Sequence, residues 1–500
     1  MMDINGILGS VRLDKASEVP MYAQVRDTLL TAISNGQIAV GTRLPPVRKL
    51  ASSLDVNLMT VARAYKEMTE QGVIAGRGAL GTFVTGQAKP PEEALPVKAG
   101  RESYSVRDDD TFARMLQFSG RPGVIPFTRA YPDASTVDVA SFEANLMQVI
   151  SSHPEHAYSY IQPDGLYGLK VAFSTLMKTQ RNLLLDPESI LVSSGGQQAL
   201  SLVAQSVLKA GDTVIVERPT YFGALDLFRT LGVKVLGVRM EKDGMDIEEL
   251  EHVVSTSKPK LLFLIPTFHN PTGITTSLEK RRAILEISRR YGVAILEDDC
   301  CSELRYVGSS LPSIKALSEP LDEIYYFSSM GKAYIPGLRL GMVAPPRSRL
   351  GDIVKQKSVA DLHTSPLLQN AFQLYLESGA YKASLSNTCD TYRNLLDKIC
   401  DELAAVMPAG ASFMKPDGGL NIWLNLPVEV DSIDFFYACL QRNVSVLVGR
   451  HFYPDSGETN TIRLSFGHSD QQTMVTAVAA MGDAARELQG RTSLRFPVLV

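Results

Sequence analysis

From about Ile125 to Leu488 the chain repeats one pattern: a short apolar run, a few small or polar residues, then a stretch of helical periodicity. "SILVSSGGQQALSLVAQSVL", "DTVIVERPTYFGALDLF", "KLLFLIPTFHNPTG" and "VAILEDDC" are its clearest instances. A strand that is apolar at nearly every position has to be covered on both faces. Alternation with helices therefore predicts an α/β body, a mostly parallel sheet with helices on either side. Sites on such sheets lie beyond the carboxyl ends of the strands. Several polar clusters of this sequence fall at those ends.

"SSGGQQAL" follows one strand and opens a helix, so Ser194, Gly195, Gly196 and Gln197 offer N–H groups suited to a phosphate. Tyr221, in "PTY", follows the next strand and can stack on a flat ring, or can simply pack. "HNPTG" sets the Asn270 amide at a strand end, where it can hydrogen-bond a ring substituent. "LEDDC" sets Asp298 at another, where a buried carboxylate can pair with a protonated ring nitrogen or serve the structure alone. "SSMGKAYIPGLRLG", Ser328 to Gly341, places Lys332 after the strand "EIYYFSS", with Ser329 before it and Arg339 seven positions on.

The first ninety residues follow different rules. Tyr22, Val25, Leu29, Ala32 and Ile33 recur at helical spacing, and Asn35-Gly36 should end that helix. "LPPVRKLASSLDV" predicts a short helix burying Val47, Leu50, Ala51 and Leu54. A third helix should run from an Asn57 cap to a Gly72 stop, with Val61, Ala64, Tyr65 and Met68 inward. "VIAGRGALGTFVTG" then reads as two short strands around a glycine-rich tip. Helix, short helix, helix, hairpin is the order of a winged helix-turn-helix.

The chain's 500 residues exceed one compact domain. From Gln87 to about Gly123, "QAKPPEEALPVKAGRESYSVRDDDTF" loses periodicity and reads as an extended connector. The expected organisation is a head over 13–86, a linker over 87–124, a body over 125–488 and a tail over 489–500. Residues 1–90 hold 10 Lys and Arg against 7 Asp and Glu, and the remainder 40 against 47. A basic head on an acidic body suits a DNA-binding module fused to something else. No apolar run of about eighteen residues suggests a membrane span, and "MMDINGILGSVRLDK" lacks the pattern of a signal peptide. Five scattered cysteines, without metal-type spacing, suggest reduced thiols in a cytoplasm and no metal site.

Pro20 to Thr85 resembles the DNA-binding domain of GntR-type bacterial regulators, down to "GTRLPPVRKLA" and "TVARAY". The resemblance implies that the third helix enters the major groove of operator DNA. Arg48, Asn57, Thr60 and Arg63 become candidate contacts, with Arg77 and Gly78 on the wing. Leu58 and Met59 stand where relatives often carry polar base-reading residues.

The body, over 125–488, resembles the fold-type I pyridoxal phosphate aminotransferases. That implies Lys332 as the Schiff-base lysine and Asp298 as partner of the pyridine nitrogen. Asn270 would meet the ring oxygen and Tyr221 would stack. Ser329, Arg339, Gly195, Gly196 and Gln197 would hold the phosphate, with Ser194 in the same turn. Tyr160, in "YIQPDG", matches a tyrosine lent to the neighbouring subunit's phosphate, which implies a homodimer. Arg463, in "TIRLSFG", stands where the family grips a substrate carboxylate. Cys300 occupies the place of a tyrosine that donates to the ring oxygen, and a thiol is a weaker donor. Gly196 likewise replaces a small polar residue.

Head, linker and body together resemble the MocR (GabR-like) regulators. The expectation is a pyridoxal phosphate-dependent transcriptional regulator that senses an amine or amino-acid effector through Lys332. An active aminotransferase, a sensor of pyridoxal phosphate itself and a dimerising relic remain the alternatives.

Overall fold

The computed structural model describes residues 20–34, 38–54, 56–70, 72–76, 81–85, 115–133, 137–152, 154–455, 457–468 and 470–489. The chain divides into two compact units, Met1–Ser105 and Val106–Val500.

In the first unit, helices α1 (Met21–Ser34), α2 (Val47–Ser53) and α3 (Leu58–Glu70) precede an antiparallel hairpin of Ile74–Gly76 and Thr82–Val84. Val25, Leu29, Ala32 and Ile33 of α1 share one core with Leu50 and Ala51 of α2 and with Val61, Ala64, Tyr65 and Met68 of α3. These are residues the spacing points inward. Tyr22 differs: it stays half-exposed, and the Arg63 guanidinium lies 3.7 Å from its ring centre. Asn57 caps α3, its Oδ1 accepting the Met59 N–H at 2.9 Å. Gly41 and Leu44 extend the hairpin, donating to Val84 O at 2.8 Å and Thr82 O at 2.9 Å. Asn35, Gly36, Arg77 and Gly78 lie outside the described residues.

The second unit is built on an eight-stranded sheet. Its strands are β1 (Leu191–Ser193), β2 (Thr213–Arg218), β3 (Lys234–Glu241), β4 (Gly244–Met245), β5 (Leu261–Leu264), β6 (Ala294–Asp298), β7 (Ile324–Ser329) and β8 (Gly341–Ala344). Their spatial order is β1-β8-β7-β6-β5-β2-β3-β4. The run from β7 to β3 is parallel, whereas β8 is antiparallel to both neighbours and β4 to β3. Alternate residues of one strand face opposite layers. Val214 and Val216 pack with the helices Gly196–Val207 and Phe222–Thr230, while Ile215 joins those at Ile247–Ser257 and Leu278–Tyr291. Covering both faces is what the continuous apolar runs require.

A separate core lies around a four-stranded antiparallel sheet of Ser412–Phe413, Asn421–Asn425, Thr461–Ser465 and Leu447–Val448, backed by the helices Ala380–Val406 and Gln471–Leu488. It corrects the expected linker boundary. Met115 is fully buried in this core, with Phe118 packed against it. Ser119 Oγ donates to Met115 O at 2.7 Å and lies 3.1 Å from Ser445 Oγ. The body therefore begins by residue 115, inside the stretch read as connector.

Candidate functional site

Strand register brings the expected residues to one rim. Gly341, which opens β8, pairs with Ser193 at the end of β1 and with Ser329 at the end of β7. Ser194 to Gln197 and Met330 to Lys332 continue from that row. Asp298 ends β6 level with Phe327 of β7. Asn270 lies in the loop after β5, and Tyr221 just after β2.

Two glycines shape the rim. Gly195 has a φ of 85°, and a Cβ there would lie 2.9 Å from the Arg339 guanidinium. Arg339 donates to Ser194 O at 3.3 Å. Gly196 opens the helix Gly196–Val207, and its Cβ would lie 2.9 Å from Cys300 Sγ and 3.4 Å from Ser329 Cβ. A helix start that opens on two glycines, flanked by an arginine and a serine, suits a phosphate.

Lys332 is half-buried, and its Nζ donates to Ala130 O at 2.7 Å. Asp298 is 9% exposed, and burial pushes its carboxyl up to about 6 against the hydrogen bonds from Cys300. One of these is the Cys300 N–H, donating to Oδ1 at 3.0 Å. Burial also raises the Cys300 thiol well above its ordinary range, and Asp298 adds to the effect. The thiol therefore stays neutral, whereas the carboxyl still ionises near neutral pH at a cost that a cation beside Asp298 would relieve.

Tyr221 donates its hydroxyl to Gln197 Oε1 at 3.1 Å, and burial pushes its phenol up to about 12. Arg463 is 2% exposed, donating to Asn270 Oδ1 at 3.2 Å and to Thr128 O at 2.7 Å. Burial lowers it to about 10, so it stays charged near neutral pH. Its Nε is buried without a partner among the described residues. Tyr160 sits apart from Lys332's contacts, 85% exposed, with its ring edge-on to His363 at 5.5 Å.

Sequence reasoning missed the layer beneath Ser194. The fully buried Lys357 donates to Gln198 Oε1 at 2.7 Å, Thr364 Oγ1 at 2.8 Å and Asp361 Oδ2 at 2.8 Å. The same Asp361 oxygen accepts Ser194 Oγ at 3.0 Å and Gln198 Nε2 at 2.7 Å. Lys357 lies in the last turn of the helix Leu350–Ala360 and Asp361 caps its end, an i, i+4 spacing that usually marks a surface pair. Nothing in the sequence says that this pair is covered.

On the first unit, Arg48 and Asn57 are exposed and Thr60 is half-buried. Arg63 is exposed but engaged, donating to Tyr22 Oη at 3.0 Å and to Glu67 Oε1 at 3.3 Å.

Two family descriptions match the chain: "Aminotransferase class I and II" over residues 132–480, and "Bacterial regulatory proteins, gntR family" over residues 21–84. The HTH-type transcriptional regulator YdcR of Escherichia coli, itself uncharacterised, is 29% identical over 93% of this chain and 99% of its own. The probable rhizopine catabolism regulatory protein MocR of Rhizobium meliloti is 28% identical over 75% of each chain. Among solved structures, Pyrococcus horikoshii kynurenine aminotransferase, in complex with PMP, superposes with a TM-score of 0.73 at 25% identity, over 79% of this chain and 98% of that one.

Proposed function

The chain belongs to the class I and II aminotransferase family and carries a gntR-type head, and from that premise we propose that it is a DNA-binding regulator whose body senses an amine or amino acid. It is a transcription regulator with an aminotransferase-like, pyridoxal phosphate-type domain. The observation that carries the sensing role is the complete lysine, aspartate, asparagine and phosphate set on the same chain as a winged head.

Pyridoxal phosphate fits the residues present. The cradle at Gly195 and Gly196 would lose its room to any Cβ, and Asp298 is a carboxyl raised by burial that a ring cation would lower. The cofactor supplies an aldehyde that condenses with amines and a ring that withdraws electrons. Lys332 would supply the amine that holds it, Asp298 would pair with the ring nitrogen, Asn270 would hydrogen-bond the ring and Tyr221 would stack on it. Ser194, Gly195, Gly196, Gln197, Ser329 and Arg339 would hold the phosphate. Cys300, whose N–H bonds Asp298, would leave that hydrogen bond to Asn270.

Arg463 would fix the carboxylate of an amino-acid effector. The effector shifts the regulator through its differential affinity for two arrangements of a homodimer. Tyr160 serves the site of the second copy, and Arg48, Asn57, Thr60 and Arg63, with Arg77 and Gly78, meet operator DNA in the cytoplasm.

The visible absorption spectrum of the purified protein tests this reading. A yellow band that shifts with one amine or amino acid, and stays shifted, is expected. Lys332→Ala should abolish borohydride trapping of the cofactor, and its retention would refute the assignment. A band that bleaches and recovers repeatedly with a 2-oxo acid would make the body a working transaminase.

A further inference from the structure

The outward face of α3 can be resolved residue by residue. Val61, Ala64, Tyr65 and Met68 are buried, so the opposite stripe carries Leu58, Met59, Ala62, Arg63 and Lys66. That stripe is apolar where the helix begins and basic farther on. Leu58 is 42% exposed and Met59 69%, the largest exposure of any large hydrophobic among the described residues of the head.

Two neighbouring polar groups, Asn57 and Arg63, bond within the head. Asn57 Oδ1 accepts the Met59 N–H at 2.9 Å. Arg63 lies on the Tyr22 ring and bonds both Tyr22 and Glu67. What α3 offers foremost is therefore a pair of apolar side chains. The gntR-family match over residues 21–84 makes the partner duplex DNA. In helix-turn-helix proteins, residues at the start of the second helix meet base edges in the major groove. The apolar group displayed there is the thymine 5-methyl.

We propose that Leu58 and Met59 read thymine methyl groups, so that each half-site bound by this head carries at least one thymine under the start of α3. The inference rests on the DNA-binding reading of the head and goes beyond it by naming the base and the atoms that select it.

The test uses the full-length protein with its cofactor and duplexes recovered by selection from a random-sequence library. The recovered duplexes are remade with deoxyuridine for thymidine, which deletes the methyl alone. Affinity at fixed salt should fall about fourfold for each contacted methyl, the size expected for one buried carbon. The Leu58→Ala/Met59→Ala variant should bind both forms equally while keeping the wild-type dependence on salt, which reports phosphate contacts. Both positions are exposed, so the variant should fold as the parent does. Equal binding of both duplex forms by the parent protein would overturn the inference and leave the head a DNA-binding module. A deoxyuridine penalty that persists undiminished in the double variant would also overturn it, assigning the effect to DNA shape. If no duplex is retained even at low salt, the DNA-binding reading falls, and the inference with it.

Discussion

Gly196 and Cys300 are fitted to each other: a Cβ on residue 196 would lie 2.9 Å from the Cys300 sulfur. In the sequence these are two separate departures from the aminotransferase pattern. In the structure they are one contact. Gly196→Ser should force the thiol out of its place beside Asp298, at a cost of about 1–3 kcal/mol for overpacking a closed site. Cys300→Ala in the same chain should recover most of that loss. Chemical denaturation of the two single variants and the double gives the coupling; strictly additive costs would show that the two residues do not compete for space.

Asp298 should make the cofactor-free protein sensitive to pH. Its carboxyl is pushed up to about 6 by burial, against about 3.9 in an unfolded chain. Between those values the native state holds more protons than the unfolded state, so stability falls as pH rises from 4 to 6 and stays lowered above. The loss is on the order of 3 kcal/mol. Asp298→Asn should therefore raise the melting temperature of the stripped protein at pH 7.5 and change it little at pH 4.5. The same variant should bind pyridoxal phosphate more weakly. Equal shifts at both pH values would remove the carboxylate charge as the cause.

The strands and their terminal residues were legible because complete burial and a polar break leave a plain mark in the sequence. "VAILEDDC" announces both a covered strand and Asp298 at its end. The head was legible for a similar reason, since Val61, Ala64, Tyr65 and Met68 obey one period. Met115 was not: it follows a polar stretch in which no period can be recognised. Ala130 O, which holds Lys332 Nζ at 2.7 Å, was equally hidden, because a backbone acceptor has no residue identity. Lys357 illustrates a third limit. Charge spacing along a helix does not report that another segment covers it.

Lys357 should support the phosphate loop from below. Removing its ammonium leaves Asp361 accepting from Ser194 and Gln198 without a cation. Breaking a fully buried pair costs about 3–5 kcal/mol, but the Asp361 side chain keeps 30% exposure, so Lys357→Met should cost roughly 2 kcal/mol. Because Ser194 Oγ bonds the same carboxylate oxygen, retention of pyridoxal phosphate on dialysis should fall as well. Lys357→Met/Asp361→Asn should regain stability by removing the stranded charge. A Lys357→Met variant that melts and retains cofactor like the parent would make the network dispensable.

Arg463 should decide between effectors that carry a carboxylate and those that do not. Two of its nitrogens are held by Asn270 and Thr128, while Nε is buried without a partner among the described residues. A guanidinium held in that way offers a fork whose geometry a lysine cannot reproduce. Arg463→Lys keeps the charge and loses the fork. Charge-assisted bonds contribute about 1.5–3 kcal/mol, so the variant should need roughly 10- to 100-fold more amino acid to shift the absorption band. The matching amine, lacking the carboxylate, should act at nearly its parental concentration. Titrating both ligands against both proteins separates the two cases. If the variant loses its response to amine and amino acid by the same factor, Arg463 orders the site through Asn270 and does not grip the carboxylate.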